Sequence, residues 1–151
     1  MADVVINHGS SDSLWFKNFI KGKGKGSDYF LNFDEPFDTS KVVRPRTSDL
    51  LNPVETSDGI KYTWCTFSKD QVDYNFSNPV VLFEFVQIII FYLSKGITVF
   101  RFDAVAFIWK KIGTSCINLE KTHEIVRLFR TLLTYLSPVS YTHLTLPTTY
   151  H

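Results

Sequence analysis

Two cysteines in 151 residues, Cys65 and Cys116, exclude a disulfide framework, and with no partners close in sequence they make no metal site. Buried free thiols are the expectation. Charge of one sign is equally scarce: the net charge is +1 and the pI near 7.8, which leaves no electrostatic case for nucleic acid or an anionic membrane. A membrane-spanning run is missing too, because Glu84 and Gln87 interrupt the apolar stretch Val80 to Leu93 and it falls short of the roughly 20 residues a bilayer needs. It predicts a helix packed on a sheet. Lys21-Gly22-Lys23-Gly24-Lys25-Gly26 lacks the Walker spacing, with no Lys-Ser/Thr opening a helix after it, and reads as a solvated loop tip. What is abundant is core material: 44% hydrophobic and 16% aromatic residues, fourteen of them Phe, exclude a disordered segment.

The most informative run is Val99-Phe100-Arg101-Phe102-Asp103-Ala104. Alternation along a strand puts Val99, Arg101 and Asp103 on one face and Phe100 and Phe102 on the other. In a parallel barrel the carboxyl end of a strand is the mouth where chemistry is done, and the phenylalanine face is covered by helices. Arg101 would hold the Asp103 carboxylate ionised and oriented. An isolated Arg-x-Asp is more often an ordinary strand-end salt bridge, so further segments have to decide. Asp3-Val4-Val5-Ile6-Asn7-His8 is a second apolar strand closing on polar groups and running into Gly9-Ser10-Ser11. Between the two lies a helix marked at both ends, by Asn78 as N-cap, Pro79 at the first helical position and Gly96 as the stop. Strand, long excursion, helix, strand is a parallel crossover unit.

Strands are expected over Ala2 to Asn7 and Ile97 to Phe102, and helices over Pro79 to Lys95 and from about Thr122 to Tyr135. In the last helix Ile125, Leu128, Phe129, Leu132 and Leu133 follow helical spacing. The stretch from Gly9 to Asn75 is dense in turn-formers, with a short helix over Leu14 to Phe19 and a hairpin at Asp58-Gly59 flanked by Val54 and Ile60 to Tyr62. Asp73, Asn75 and Asn78 are expected to cap the crossover helix and fix its entry. His123 opens the last helix.

These residues resemble the α-amylase superfamily of retaining glycoside hydrolases, glycoside hydrolase family 13, and within it the sucrose phosphorylase and glucosylglycerate phosphorylase branch. Asp3-x-x-x-Asn7-His8 is similar to the first signature of that superfamily, at the end of the third barrel strand. Gly96-x-x-x-x-Arg101-x-Asp103-Ala104 is similar to the second, at the end of the fourth. The narrower likeness rests on Arg44-Pro45-Arg46-Thr47, on Thr66-Phe67-Ser68-Lys69-Asp70-Gln71-Val72-Asp73, and on Trp109-Lys110-Lys111-Ile112-Gly113-Thr114-Ser115-Cys116. Leu119-Glu120-Lys121-Thr122-His123 departs from the Leu-Pro-Glu-Thr-His of that branch, which bears on local loop geometry and acceptor choice.

The resemblance implies an α/β fold: a partial (β/α)8 TIM barrel formed by residues 1–8 and 76–138, with a loop-rich small domain, 9–75, inserted after strand 3. A complete barrel needs about 250 residues, so the chain reads as a fragment. Residues 139–148 resemble a translated sequencing adapter, the alternative being a genuine exposed strand, and 139–151 are set aside as a non-native tail. It also implies glucosyl transfer from sucrose or a related glucoside to phosphate with retention, with Asp103 as nucleophile and His8 binding a hydroxyl of the glucosyl ring. Asp3 and Asn7 would support the strand end and Arg101. Phe67 and Gln71 match the acceptor subsite. Arg46, with Arg44 beside it, is the candidate phosphate site, because a guanidinium fork fits phosphate oxygens; the alternative is that these arginines tie the insertion to the barrel. The acid/base Glu and the stabilising Asp of the superfamily have no place in this sequence, so the chain alone is expected to be inactive, and unpaired edges of half a barrel predict poor solubility. No cofactor is expected beyond phosphate as co-substrate, no metal, no nucleic acid and no membrane, and the location expected is cytoplasmic. A hydrolase or transglycosylase of the same superfamily, and a non-catalytic relative, stay open.

Overall fold

The computed structural model describes residues 1–136 of the chain; the proposed non-native tail, 139–151, lies outside them. Strand β1 (Ala2–Val5) runs parallel to β7 (Phe100–Asp103), with Asp3 opposite Arg101 and Val5 opposite Asp103. Both strands are shorter than the sequence predicts. Residues 97–99 stay outside the strand because the ladder begins where Phe100 meets Ala2, and His8 does not end β1 but opens β2 (His8–Ser10).

β2 pairs antiparallel with β6 (Gln71–Asp73), so the two ends of the long excursion are laced together before it opens out. Within it, Ser13 caps α1 (Leu14–Lys21) by accepting from the Phe16 N–H, and β3 (Asn32–Phe33), β5 (Gly59–Trp64) and β4 (Leu51–Thr56) form an antiparallel sheet with β5 in the middle. Pro53 sits in edge strand β4, where no ladder donor is missed. The hairpin turns one residue earlier than predicted: Thr56 pairs with Gly59, so Ser57-Asp58 is the loop and Gly59, at φ 98°, opens the returning strand. The register from Leu51–Trp64 to Thr56–Gly59 overrides the local Asp-Gly signal.

The Lys/Gly run is more than a solvated tip. Gly26 is buried at φ 94°, and a Cβ there would lie 2.4 Å from the Cβ of Trp15, so only glycine lets the chain press against α1. Lys25 then reaches Glu84 at 3.0 Å, and the Tyr29 hydroxyl donates to the same carboxylate at 2.9 Å, tying the excursion to α2 (Pro79–Ser94). Asn78 caps α2 as expected, accepting from the Val80 N–H.

One core runs through both parts: Val4 and Phe100 from the parallel pair and Ile6 just past β1 meet Phe30 and Val72 from the excursion, Val81, Phe85 and Ile89 from α2, and Ile125, Phe129 and Leu133 from α3 (Glu120–Leu136). Leu128 departs from its predicted place and is 39% exposed, because the buried stripe of α3 runs Thr122, Ile125, Val126, Phe129, Leu133. A smaller cluster joins Leu50, Trp64 and Cys116, docking the segment after β7 onto the three-stranded sheet. Both cysteines are buried free thiols; burial pushes the Cys65 thiol up to about 11.

Candidate functional site

The parallel pair has one covered and one open face. Phe100 is buried and Phe102 packs on Phe129 with ring centroids 5.3 Å apart, while Asp3, Val5, Val99 and Arg101 are exposed and Asp103 half-exposed on the other side. On that open face Arg101 lies between two carboxylates: Nη2 is 3.4 Å from Asp103 Oδ1, and Nη1 is 3.5 Å from Asp3 Oδ2. These separations are long for hydrogen bonds, and the groups are largely exposed, so Arg101 orients the pair more than it binds it. Just past Asp103 the backbone turns sharply, with Ala104 in the left-handed region (φ 54°) and the 3-10 turn Val105–Phe107 buried beneath.

His8 stands beside this face. Gln71 Nε2 lies 3.2 Å from its Nε2, and the Phe67 ring tilts against it at 5.1 Å, backed by Phe107 at 5.5 Å. The structure therefore gathers His8, Phe67 and Gln71 into one wall. Burial lowers the imidazole's pKa below its ordinary value; the Lys110 charge acts the same way, and the carboxylates of Asp73 and Asp103 oppose it. The Asp103 carboxylate thus acts on His8 across the site.

This depression has a consequence for stability. As pH falls below the unfolded value near 6.5, the unfolded chain takes up a proton before native His8 does, so stability is lost down to the native pKa. Urea unfolding of the chain and of its His8→Gln variant between pH 7.5 and 5 should differ in slope, the variant losing less on acidification by up to about 1.4 kcal/mol per pH unit. Parallel slopes would show that His8 is not held neutral by its surroundings.

Beneath the wall lies a network that the sequence pattern did not reveal. Asp73 is fully buried and is paired with Lys110 at 2.8 Å. Its carboxylate also accepts from Asn7 Nδ2 at 3.0 Å, from the Thr66 N–H at 3.1 Å and from the Thr66 hydroxyl. Lys110 Nζ donates in addition to Asn7 Oδ1 at 2.8 Å, and its side chain is 5% exposed. Asp73 therefore does not cap the crossover helix as expected; it is the hub joining the end of β1, the end of the excursion and the segment after β7. Asn75 turns toward Ser77, accepting its N–H at 3.2 Å. Burial lowers the Lys110 pKa, with Asp73 opposing. The available signal was a lysine and an aspartate each set in an apolar string, Val105 to Trp109 and Val72 to Tyr74.

Arg44 and Arg46 part company. Arg44 donates to the carbonyls of Ser48, Cys65 and Thr66, which makes it a strut between its own loop and the Asp73 network, the tie that the sequence left as the alternative to anion binding. Arg46 is exposed, and no hydrogen bond or ion pair among the described residues engages its guanidinium. No group of three or more His, Cys, Asp or Glu among the described residues could hold a metal ion, and none of their helices is long and apolar enough to cross a membrane.

Comparison with known proteins bears on the family and the fold. Residues 1–136 match the family model for the α-amylase catalytic domain. The chain is 45% identical over 138 residues to the glucosylglycerate phosphorylase of Allomeiothermus silvanus and 44% identical over 139 residues to that of Escherichia coli K12; 91% of the chain is covered in each case and 25% of each relative. It thus spans about a quarter of the length of the curated relatives it matches. Among solved structures, sucrose 6F-phosphate phosphorylase of Thermoanaerobacter thermosaccharolyticum superposes with a TM-score of 0.81 at 25% identity, covering 94% of this chain and 32% of that one. In fold, β1 and β7 are neighbouring strands of a (β/α)8 barrel of which this chain holds a part. The family model spans the whole of the described length, and the chain belongs to the α-amylase catalytic-domain family.

Proposed function

We propose that this chain supplies the nucleophile side of a retaining glucoside phosphorylase acting on glucosylglycerate or sucrose, with identities of 43–45% to glucosylglycerate phosphorylases favouring the former. The observation that carries it is the place of Asp103, at the carboxyl end of a barrel strand, on the face turned away from the helices, with Arg101 and the His8 wall beside it. In this reaction Asp103 attacks the anomeric carbon, the bond to the aglycone breaks, and a proton donor from the rest of the barrel completes the leaving group. Such a donor sits about 5 to 5.5 Å from the nucleophile, which requires a rigid strand end. Phosphate then attacks the anomeric carbon from the side the aglycone has left, opposite the ester bond, giving up its proton to the former donor, now a base; the ester bond breaks, α-glucose 1-phosphate leaves and the Asp103 carboxylate is restored.

In this proposal His8 holds a glucosyl hydroxyl, and Phe67 and Gln71 line the acceptor side, the ring limiting entry of water. Arg46, with its donors unengaged, serves phosphate; Arg44 contributes by holding the loop. No cofactor besides phosphate takes part, and the enzyme works in the cytoplasm. The test is a chimera in which residues 1–136 replace the corresponding quarter of the Allomeiothermus silvanus enzyme. Incubated with glucosylglycerate or sucrose, it should form glucose 1-phosphate only when phosphate is present. Glucose released at the same rate without phosphate would assign the segment to a hydrolase.

A further inference from the structure

Helix α2 carries a second apolar face that packing within the described residues leaves bare. Val81, Phe85 and Ile89 are buried toward the sheet. On the opposite side Val80, Phe83, Gln87, Ile90 and Ser94 recur in alternating steps of three and four, the spacing of a helix–helix seam. Val80 is 47%, Phe83 66% and Ile90 40% exposed, and Phe91 flanks them at 58%. A helix apolar all round is ordinarily one that is covered all round. In a barrel the side turned away from the strands is the outer surface, so ring closure does not cover this seam.

Charge is removed from the seam rather than placed on it. Glu84 is held at the flank by Lys25 and Tyr29, and the Ser94 hydroxyl bonds back to the Phe91 carbonyl at 2.6 Å. Gln87 alone stays polar in the middle, where a single polar residue sets register between paired helices. The helix ends carry opposite signs: Lys95 is exposed at the carboxyl end, over the Phe91 ring at 5.7 Å, and exposed Asp28 is bonded to Asn78 at the amino end, its carboxylate 3.2 Å from Asn78 Nδ2. Side by side and antiparallel, two such helices bring Lys95 of one toward the partner's Asp28 and oppose their dipoles. Parallel pairing would set Lys95 against its own copy.

We infer that two copies of this chain pair through antiparallel α2 helices along the Val80, Phe83, Gln87 and Ile90 seam. The face offers roughly 400 Å² of apolar surface per chain, about half of one partner's share of a standard interface, the size of a weak, reversible pairing.

The test uses the full chain with a Gln87→Cys substitution and a short bis-maleimide, Cys65 and Cys116 being buried. At about 50 μM it should cross-link to dimer at least fivefold more than a Thr134→Cys chain, whose thiol lies on the exposed side of α3. Adding Phe83→Glu should bring the yield down to the Thr134→Cys level. Lys95→Glu should lower the yield, and Asp28→Lys in the same chain should restore it, since the Asp28 carbonyl keeps its own bond from Asn78. Equal cross-linking at both cysteines would mean general association and overturn the inference, as would a monomer in sedimentation at that concentration. A charge swap that restores nothing would overturn the antiparallel arrangement.

Discussion

Asp103→Asn, made in the chimera described above, should lower kcat for glucosyl transfer by on the order of 10⁴-fold while changing KM by less than about threefold. Asparagine keeps the size of the side chain and its contact with Arg101, but its amide oxygen cannot form and release a glucosyl ester. Only the transition state then loses an interaction, and the loss falls on kcat. Asp3→Asn is the informative comparison. Asp3 touches the other arm of the same guanidinium at 3.5 Å, so that substitution loosens Arg101 without removing the nucleophile, and a loss of about tenfold is expected. A 2-fluoro-glucosyl fluoride donor should leave a covalent adduct on the peptide containing Asp103 in the unsubstituted chimera and none in the variant. An adduct on any other residue, or near-normal turnover by Asp103→Asn, would remove Asp103 from the chemistry.

How much of this was legible follows from the range of each interaction. Asn78, Pro79 and Gly96 announce the ends of α2 because capping and turn chemistry act within a few residues, and Arg101 and Asp103 share a face because strand alternation is equally local. The one-residue error at the hairpin arose where Ser57, Asp58 and Gly59 can all turn, and pairing across the whole of β4 and β5 made the choice. Burial of Gly26 was hidden because it depends on Trp15, a residue of α1 that the run itself does not mention. Arg44 and Arg46 look alike in sequence; only the carbonyls converging from Ser48, Cys65 and Thr66 separate them. The pairing of Asp73 with Lys110 was out of reach for the same reason, since nothing near either residue names the other.

That pair carries the largest expected effect on stability. Lys110→Met should destabilise the chain by about 3 to 5 kcal/mol, a fall in Tm of roughly 8 to 15 °C for a chain of this size. Methionine fills the space of the lysine stem, so packing is nearly kept; what changes is that the fully buried Asp73 carboxylate loses its counter-charge and Asn7 Oδ1 loses its donor. The Asn7 and Thr66 bonds to Asp73 are too few to replace an ammonium 2.8 Å away. Removing the charge on both sides reverses much of the damage, because a neutral pair owes no desolvation of an isolated ion. Lys110→Met with Asp73→Asn, in which the amide oxygen still accepts from Thr66, should therefore recover at least about 2 kcal/mol relative to Lys110→Met alone, a coupling that two independent sites would not show. Urea unfolding of the four chains at one pH gives this cycle directly. A single-variant cost under about 1 kcal/mol, or strictly additive losses, would mean that Asp73 and Lys110 are solvated, and that the end of β1, the end of the excursion and the segment after β7 are joined by packing instead.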